Sequence, residues 1–207
     1  ENLNGTWDFG FDDENAGEKE KWYQEFKGDK KINVPFTYET KLSGIQDETR
    51  HDFIWYHRTI NVDGVKLENN RYILHFEGSD FITKVWVNGA YAGSHRGGYA
   101  RCSFDVTNLV HDGENELTVK VEDSFDTQQP RGKQRWINEN FGCWYVQTTG
   151  IWKTVWSEYV PKISLASVKM TPDLQNAALK LEYEVAAAEK DLGHRPHSCL
   201  LYTSPSP

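Results

Sequence analysis

The run Thr148-Thr149-Gly150-Ile151-Trp152-Lys153-Thr154-Val155-Trp156-Ser157-Glu158 decides the fold. It is a tight turn into a strand with large side chains on both faces: Ile151, Lys153, Val155 and Ser157 on one, Trp152, Thr154 and Trp156 on the other. Such a strand is expected to be covered on both sides and not to be a solvated edge. Trp86, Trp152 and Trp156 are accordingly expected in the core.

Upstream, short strand-like runs alternate with turn residues: Leu3–Phe9, Ile32–Val34, Ile54–Val62, Arg71–Glu77, Phe81–Asn88 and Ser103–Val106. Pro35 suits a strand end, because proline cannot donate to a ladder. Asn88-Gly89, between Val85-Trp86-Val87 and Ala90-Tyr91-Ala92, is a two-residue hairpin signal, and Asn88 is read as a turn residue only. Glu116–Glu122 alternates polar and apolar, which predicts a half-buried strand. Asp12–Glu20, acidic and glycine-containing, predicts an exposed loop. Residues 124–147 have no period but hold Phe125, Trp136, Phe141, Trp144 and Tyr145, so a long ordered loop is expected. Beyond Pro161, Ile163–Met170 and Ala177–Val185 look like the first strands of another β-domain on a short linker. Many short strands without a long amphipathic helix predict an all-β sandwich of jelly-roll type.

A chain of 207 residues can bury one such sandwich and begin a second. The net charge of −8 and the lack of a basic stripe argue against nucleic acid and anionic membranes as partners. Mean hydropathy of −0.71 leaves no stretch apolar and long enough to cross a membrane. Cys102, Cys143 and Cys199 form neither a disulfide framework nor a zinc spacing. They are expected to be free, mostly buried thiols, which favours a cytoplasmic setting. No grouping has metal-ligand spacing, no loop is built to cradle phosphate, and no Ser/His/Asp arrangement stands out, so no cofactor or metal is implied. Aromatic residues make up 14% of the chain, enough for a core with some rings left to stack on the apolar faces of sugars.

Gly150-Ile151-Trp152-x-x-Val155-Trp156 resembles the signature that ends the N-terminal sugar-binding domain of glycoside hydrolase family 2, which includes β-galactosidases, β-glucuronidases and β-mannosidases. Other pieces follow in the family's order: Leu3-Asn-Gly-Thr-Trp-Asp-Phe, Val34-Pro-Phe-Thr-Tyr-Glu, Leu42-Ser-Gly-Ile, Trp55-Tyr-His-Arg-Thr-Ile, Val85-Trp-Val-Asn-Gly, His95-Arg-Gly-Gly-Tyr, Phe104-Asp-Val-Thr, Gly113-Glu-Asn-Glu-Leu-Thr-Val-Lys-Val and Pro130-Arg-Gly-Lys-Gln. The resemblance implies a galactose-binding-like jelly roll over residues 1–160 and the start of an immunoglobulin-like β-sandwich over 161–192. It also implies a C-terminal TIM barrel as partner domain, a carbohydrate substrate, and a full enzyme for which a homo-oligomer is compatible. In such retaining glycosidases two barrel carboxylates act as acid/base and nucleophile, and this chain holds neither. Asn138-Glu139 resembles the family's acid/base pair but precedes the Gly150 turn, so it is read as structural. The fragment alone is expected to be inactive. A free-standing carbohydrate-binding module is the alternative, and a purely structural domain a third reading.

The family's sugar-contacting position ahead of Trp55-Tyr56 maps to about His51, with Asp52 adjacent; the bland alternative is a solvated loop pair. In β-galactosidases and β-glucuronidases an Asp stands where this chain has Trp144, a departure that weighs against both substrate assignments. An indole can stack or donate one bond, whereas a carboxylate accepts several. Trp144 and Trp136 are thus either stacking platforms or core plugs under the loop. Arg131, Lys133 and Gln134 either hydrogen-bond a ligand or pin the loop to the barrel; the pin is preferred, since a long buried loop needs partners. His95 and Tyr99 are expected to fix a Gly-rich bend.

Cys199–Pro207 (Cys-Leu-Leu-Tyr-Thr-Ser-Pro-Ser-Pro) resembles the in-frame translation of a transposase-end sequencing adapter. Residues 193–207 are therefore expected to be a non-native tail.

Overall fold

A computed structural model describes residues 1–125, 128–186 and, for the backbone alone, 199–203. The expected tail beyond residue 192 lies outside the described residues except for that short backbone stretch. Described residues divide into two compact units, residues 1–68 with 72–159, and residues 69–71 with the chain from 160 onward.

The first unit is an antiparallel sandwich. One sheet is built from β1 (Gly5–Phe11), β2 (Lys30–Val34), β3 (Phe53–Val62), β6 (Ile82–Val87), β7 (Ala90–Arg96) and β9 (Gly113–Glu122), in the order β2-β1-β3-β9-β6-β7. The other layer is made of β11 (Val155–Pro161), β4 (Asn70–Phe76) and β8 (Cys102–Asp105), with the small pair β10 (Gly150–Ile151) and β5 (Ser79–Asp80). Alternation sorts the faces. Ile54, Tyr56, Val85, Val87, Leu117, Val119 and Val121 point to one core, where they meet Leu74, Phe76, Phe104, Ile151 and Val155 of the second layer. Polar tips cross this core in pairs: Tyr72 Oη donates to Ser157 Oγ at 2.8 Å, and the Ile151 amide donates to Tyr56 Oη at 3.2 Å.

Several expectations are corrected here. Strand β9 is not half-buried: Thr118 and Lys120, on its polar face, are each 2% exposed. Segment 12–28 lies over Lys120, so the expected exposed loop is exposed only in part: Asp13, Glu14, Asn15, Lys19 and Glu20 are exposed, whereas Asp12 and Gly17 are buried. Asp12 is buried, and its carboxylate accepts from the Ala16 and Gly17 amides and from the Trp55 indole. Lys120 Nζ donates to Asn15 Oδ1 and Glu18 Oε1, at 2.6 and 2.8 Å. Lys84 sits directly opposite Lys120 in the ladder and donates to the same Glu18 oxygen at 2.7 Å. The shared carboxylate offsets a like-charge cross-strand pair that would otherwise be unfavourable. Burial works against ionising Glu18, but hydrogen bonds from Lys120 and Lys84 outweigh it and hold its carboxyl below the usual range.

The run through Trp152 is also two strands, β10 and β11, and not one. Trp152 caps the chain at Gly78 and donates to the Gly98 carbonyl at 2.8 Å, and it is half-buried, as is Trp156, which stacks on His75 at 4.0 Å. Only Trp86 of the three expected core indoles is buried, at 5% exposure. Asn88 is more than a turn residue. Its φ of 51° beside Gly89 at 75° makes the expected hairpin, while its side chain donates to the Leu109 carbonyl and Asn115 Oδ1 and accepts from the Glu116 amide. Cys102 is half-buried and Cys143 exposed; both are free.

In the second unit the two expected strands are β12 (Ser164–Asp173) and β13 (Ala178–Ala186), which pair antiparallel, and β14 (Cys199–Thr203) pairs with β13.

Candidate functional site

Gly150 positions the site. Its φ of +91° is one that L side chains rarely adopt, and an added Cβ would stand 2.1 Å from Tyr56 Oη. The turn sets Gly150 opposite Asp80 and Ile151 opposite Ser79, so the chain arriving from the long loop is stitched to the end of β5. Gly98 approaches the same place: a Cβ there would meet Asp80 Oδ1 at 2.2 Å.

Three buried carboxylates, Glu39, Asp80 and Asp123, hold the loop that precedes Gly150. Gln134 Nε2 donates to Asp80 Oδ2 at 2.8 Å and to Tyr99 Oη at 3.3 Å, while Gln134 Oε1 accepts from the Thr148 amide at 2.7 Å. The Thr149 amide donates to Glu39 Oε1 at 3.0 Å, and the Thr149 hydroxyl to Asp123 Oδ2 at 3.1 Å. Gln129 Nε2 reaches the other Asp123 oxygen. Glu39 Oε2 is buried and has no hydrogen-bond partner among the described residues. Burial pushes Glu39 up to about 7. Burial, with the Asp123 charge beside it, pushes Asp80 up to about 7 as well, and burial also raises Asp123.

Above these acids the loop doubles back on itself. The Arg135 amide donates to the Tyr145 carbonyl at 2.7 Å and the Tyr145 amide to the Lys133 carbonyl at 2.8 Å. Arg135 is buried, donating to Gln147 Oε1 and to the Glu48 carbonyl. Trp136, Phe141 and Trp144 pack ring against ring, with centroids 4.8–5.0 Å apart, and all three are half-buried. The loop's order comes from this cluster and from its pinned base. Asp80, Tyr99, Lys133, Gln134, Tyr145 and Trp152 border a pocket of about 340 Å³ beside it.

The sequence-derived candidates fall into three places. Arg131 and Gln134 lie in the pinned base: Arg131 is 7% exposed, with its guanidinium over the Phe125 ring at 5.8 Å, and Gln134 is spent on Asp80, Tyr99 and Thr148. Lys133 is exposed on the pocket rim, and Trp136 and Trp144 form the aromatic cap. His51 and Asp52 lie on another loop. His51 stacks on Phe11 at 3.6 Å, and its Nδ1 and Nε2 lie 2.7 and 3.0 Å from Asp13 Oδ1 and Thr49 Oγ1. Asp52 pairs with Arg50, whose guanidinium covers Phe125 at 4.4 Å. Glu39, Asp80, Asp123, Thr149 and Arg135 were not singled out from sequence. Glu39 stood inside the quoted Val34-Pro-Phe-Thr-Tyr-Glu motif, and an acid flanked by aromatic and turn residues was the available signal. Among the described residues no group of three or more His, Cys, Asp or Glu could hold a metal ion. No helix there is long and apolar enough to cross a membrane.

Comparison with known proteins places this architecture. A relative from Formosa agariphila is 32% identical over 143 residues, covering 68% of this chain and 16% of its own length. A beta-galactosidase of Thermoanaerobacter pseudethanolicus is 25% identical over 198 residues, covering 94% of this chain and 24% of its own. The chain thus spans a quarter or less of the length of these relatives. Among solved structures, Bifidobacterium dentium beta-glucuronidase complexed with coumarin-3-O-glucuronide superposes with a TM-score of 0.75 at 21% identity, over 90% of this chain and 35% of that one. The family model for glycosyl hydrolases family 2, sugar binding domain, matches residues 1–157. With that match over most of its length, the chain belongs to glycosyl hydrolases family 2 and carries the family's sugar binding domain.

Proposed function

We propose that this chain is the non-catalytic N-terminal part of a glycosidase that hydrolyses terminal β-linked sugars, and that its 128–149 loop packs on, and helps complete the pocket of, a TIM barrel elsewhere in the parent protein. The observation that carries this reading is the contrast within the loop. Its base is fixed by three buried carboxylates, yet its crest leaves Ile137 and Tyr145 44% and 59% exposed beside Tyr99 at 53%. Exposed apolar and aromatic groups on a rigid base suit a surface made to meet another. In this reading Gln134 and Arg131 position the loop, and Trp136, Trp144 and Lys133 are the groups that face sugar or barrel. Asn138 and Glu139 are exposed on the same loop and take no catalytic part. The two carboxylates of a retaining mechanism would come from the barrel.

The test is to recover the parent gene and assay its product, with the 207-residue chain alongside, on a panel of β-linked aryl glycosides. The expected result is hydrolysis by the parent and none by the chain alone. A parent whose frame holds no barrel, or turnover by the chain itself, would overturn the reading. In the first case a free-standing carbohydrate-binding module takes its place.

A further inference from the structure

A second aromatic site lies away from the loop, on the outer face of the six-stranded sheet. Strand β6 alternates Val85 and Val87 into the core with Lys84 and Trp86 outward. A register shift between Val85 and Trp86 brings Tyr91 of β7 directly opposite Trp86, so both rings share the outer face. Their centroids are 5.6 Å apart at 58°, a tilted pair and not a flat stack. The segment 12–28 completes the walls: Tyr23 stacks on Trp86 at 5.3 Å and 8°, and Glu18 stands at Lys84. Between strap and edge strand is a cleft of about 330 Å³ lined by Glu18, Tyr23, Lys84, Trp86 and Tyr91. That volume is at the lower end of the roughly 300–1,000 Å³ usual for small-molecule sites.

The chemistry of the walls limits the occupant. Trp86 sits beneath, and Tyr91, 55% exposed, offers an apolar ring face. The polar tips carry both hydrogen-bonding roles. Both lysines bond Glu18 Oε1, so Glu18 Oε2 makes no hydrogen bond among the described residues, and neither do the hydroxyls of Tyr23 and Tyr91. Lys84 Nζ has donors to spare. A purely apolar occupant would bury these tips without partners, which is costly. A simple anion would meet Lys84 already matched by Glu18, and would gain nothing from the rings. A pyranose satisfies both requirements, with one apolar C–H face for the ring and hydroxyls that donate to Glu18 and accept from Lys84.

We propose that this cleft is a carbohydrate-binding site for a single pyranose unit of a neutral oligosaccharide, built by Tyr91, Tyr23 and Trp86 with Glu18 and Lys84. It rests on the saccharide-handling reading above but uses none of the residues of the 128–149 loop.

The test is an amide and indole NMR titration of the full 207-residue chain with cellotetraose and with lactose, one gluco- and one galacto-configured probe. Saturable shifts are expected at the Trp86 indole and at the backbone of residues 84–92, with a Kd on the order of millimolar. Tyr91→Ala, an exposed position, should keep the melting temperature and weaken binding by about tenfold. Absence of saturable shifts with both probes overturns the site, as does binding that Tyr91→Ala leaves unchanged. Shifts confined to Trp136, Trp144 and Tyr99 also overturn it while leaving the glycosidase reading intact, because that reading is decided by turnover of the parent.

Discussion

Two long irregular segments cover the sandwich, and they are held by opposite electrostatic means. Segment 12–28 lies on a sheet face and is fastened by an ionised carboxylate, Glu18, shared between Lys84 and the buried Lys120. Segment 128–149 is fastened by carboxylates whose burial favours the neutral form, Glu39 and Asp80. In the first, cations accompany the acid into the protein. In the second, Glu39 meets hydroxyl and amide donors but no paired cation, so desolvation wins. The difference teaches that a charged residue in a covering segment can act as a clamp in either protonation state, and that pH should loosen the two clamps in opposite directions.

The strongest way to break the comparison is at the hinge of the second segment. Gly150→Ala forces a Cβ onto Tyr56 Oη at a positive φ, and should destabilise the first unit by about 3 kcal/mol or more in urea unfolding followed by tryptophan fluorescence. A well-folded variant of unchanged midpoint would show that the turn is not what fixes the loop. Next is Glu39. Its carboxyl is raised from 4.5 to about 7, so the folded state binds a proton that the unfolded state has released, and stability falls as pH rises between those values. Glu39→Gln should remove that slope and exceed the parent chain in stability at pH 8 by on the order of 2 kcal/mol, with little difference at pH 4; identical curves at both pH values would count against the neutral clamp.

Glu18→Gln tests the other arm. The Glu18 carboxyl lies below the usual range, so its contribution is present above about 4.5 and is lost as pH falls through the folded value. The substitution should cost about 1 kcal/mol at pH 7, allowing for the group's partial exposure, and less in acid. A cost that grows in acid would reverse the assignment. Smallest is Lys133→Ala, exposed on the pocket rim, for which the unfolding midpoint should move by less than about 0.5 kcal/mol. A larger loss would mean that rim charge, and not the buried base, holds the loop.

Much of the fold was legible in the sequence because it depends on short-range rules. The Asn88-Gly89 hairpin follows from turn chemistry within a few residues, and the β12 and β13 strands from their own strand-like runs. What failed needed long-range information. Lys120 and Thr118 read as a solvated face, and only a segment a hundred residues earlier makes them interior. Trp152 interrupts its strand to cover Gly78, a contact no local pattern encodes. The packing of Trp136, Phe141 and Trp144 together was foreseeable from composition, whereas Glu39, Asp80 and Asp123 were not, since each is a lone acid until the chain brings Thr149 and Gln134 to it.

The ladder between the start of the chain and β11 has a consequence for how the protein is made. The Leu3 amide donates to the Val155 carbonyl, and Asn2 bridges Trp156. Asn2 and Leu3 thus find these partners only after more than a hundred further residues have been added, on the order of ten seconds of synthesis. Until then the lip of β4 that β11 will cover stays unpaired, and the nascent sheet is open to wrong neighbours. The sandwich is therefore expected to close late and in one concerted event, and chains that stop short of Val155 should depend on chaperones to stay in solution.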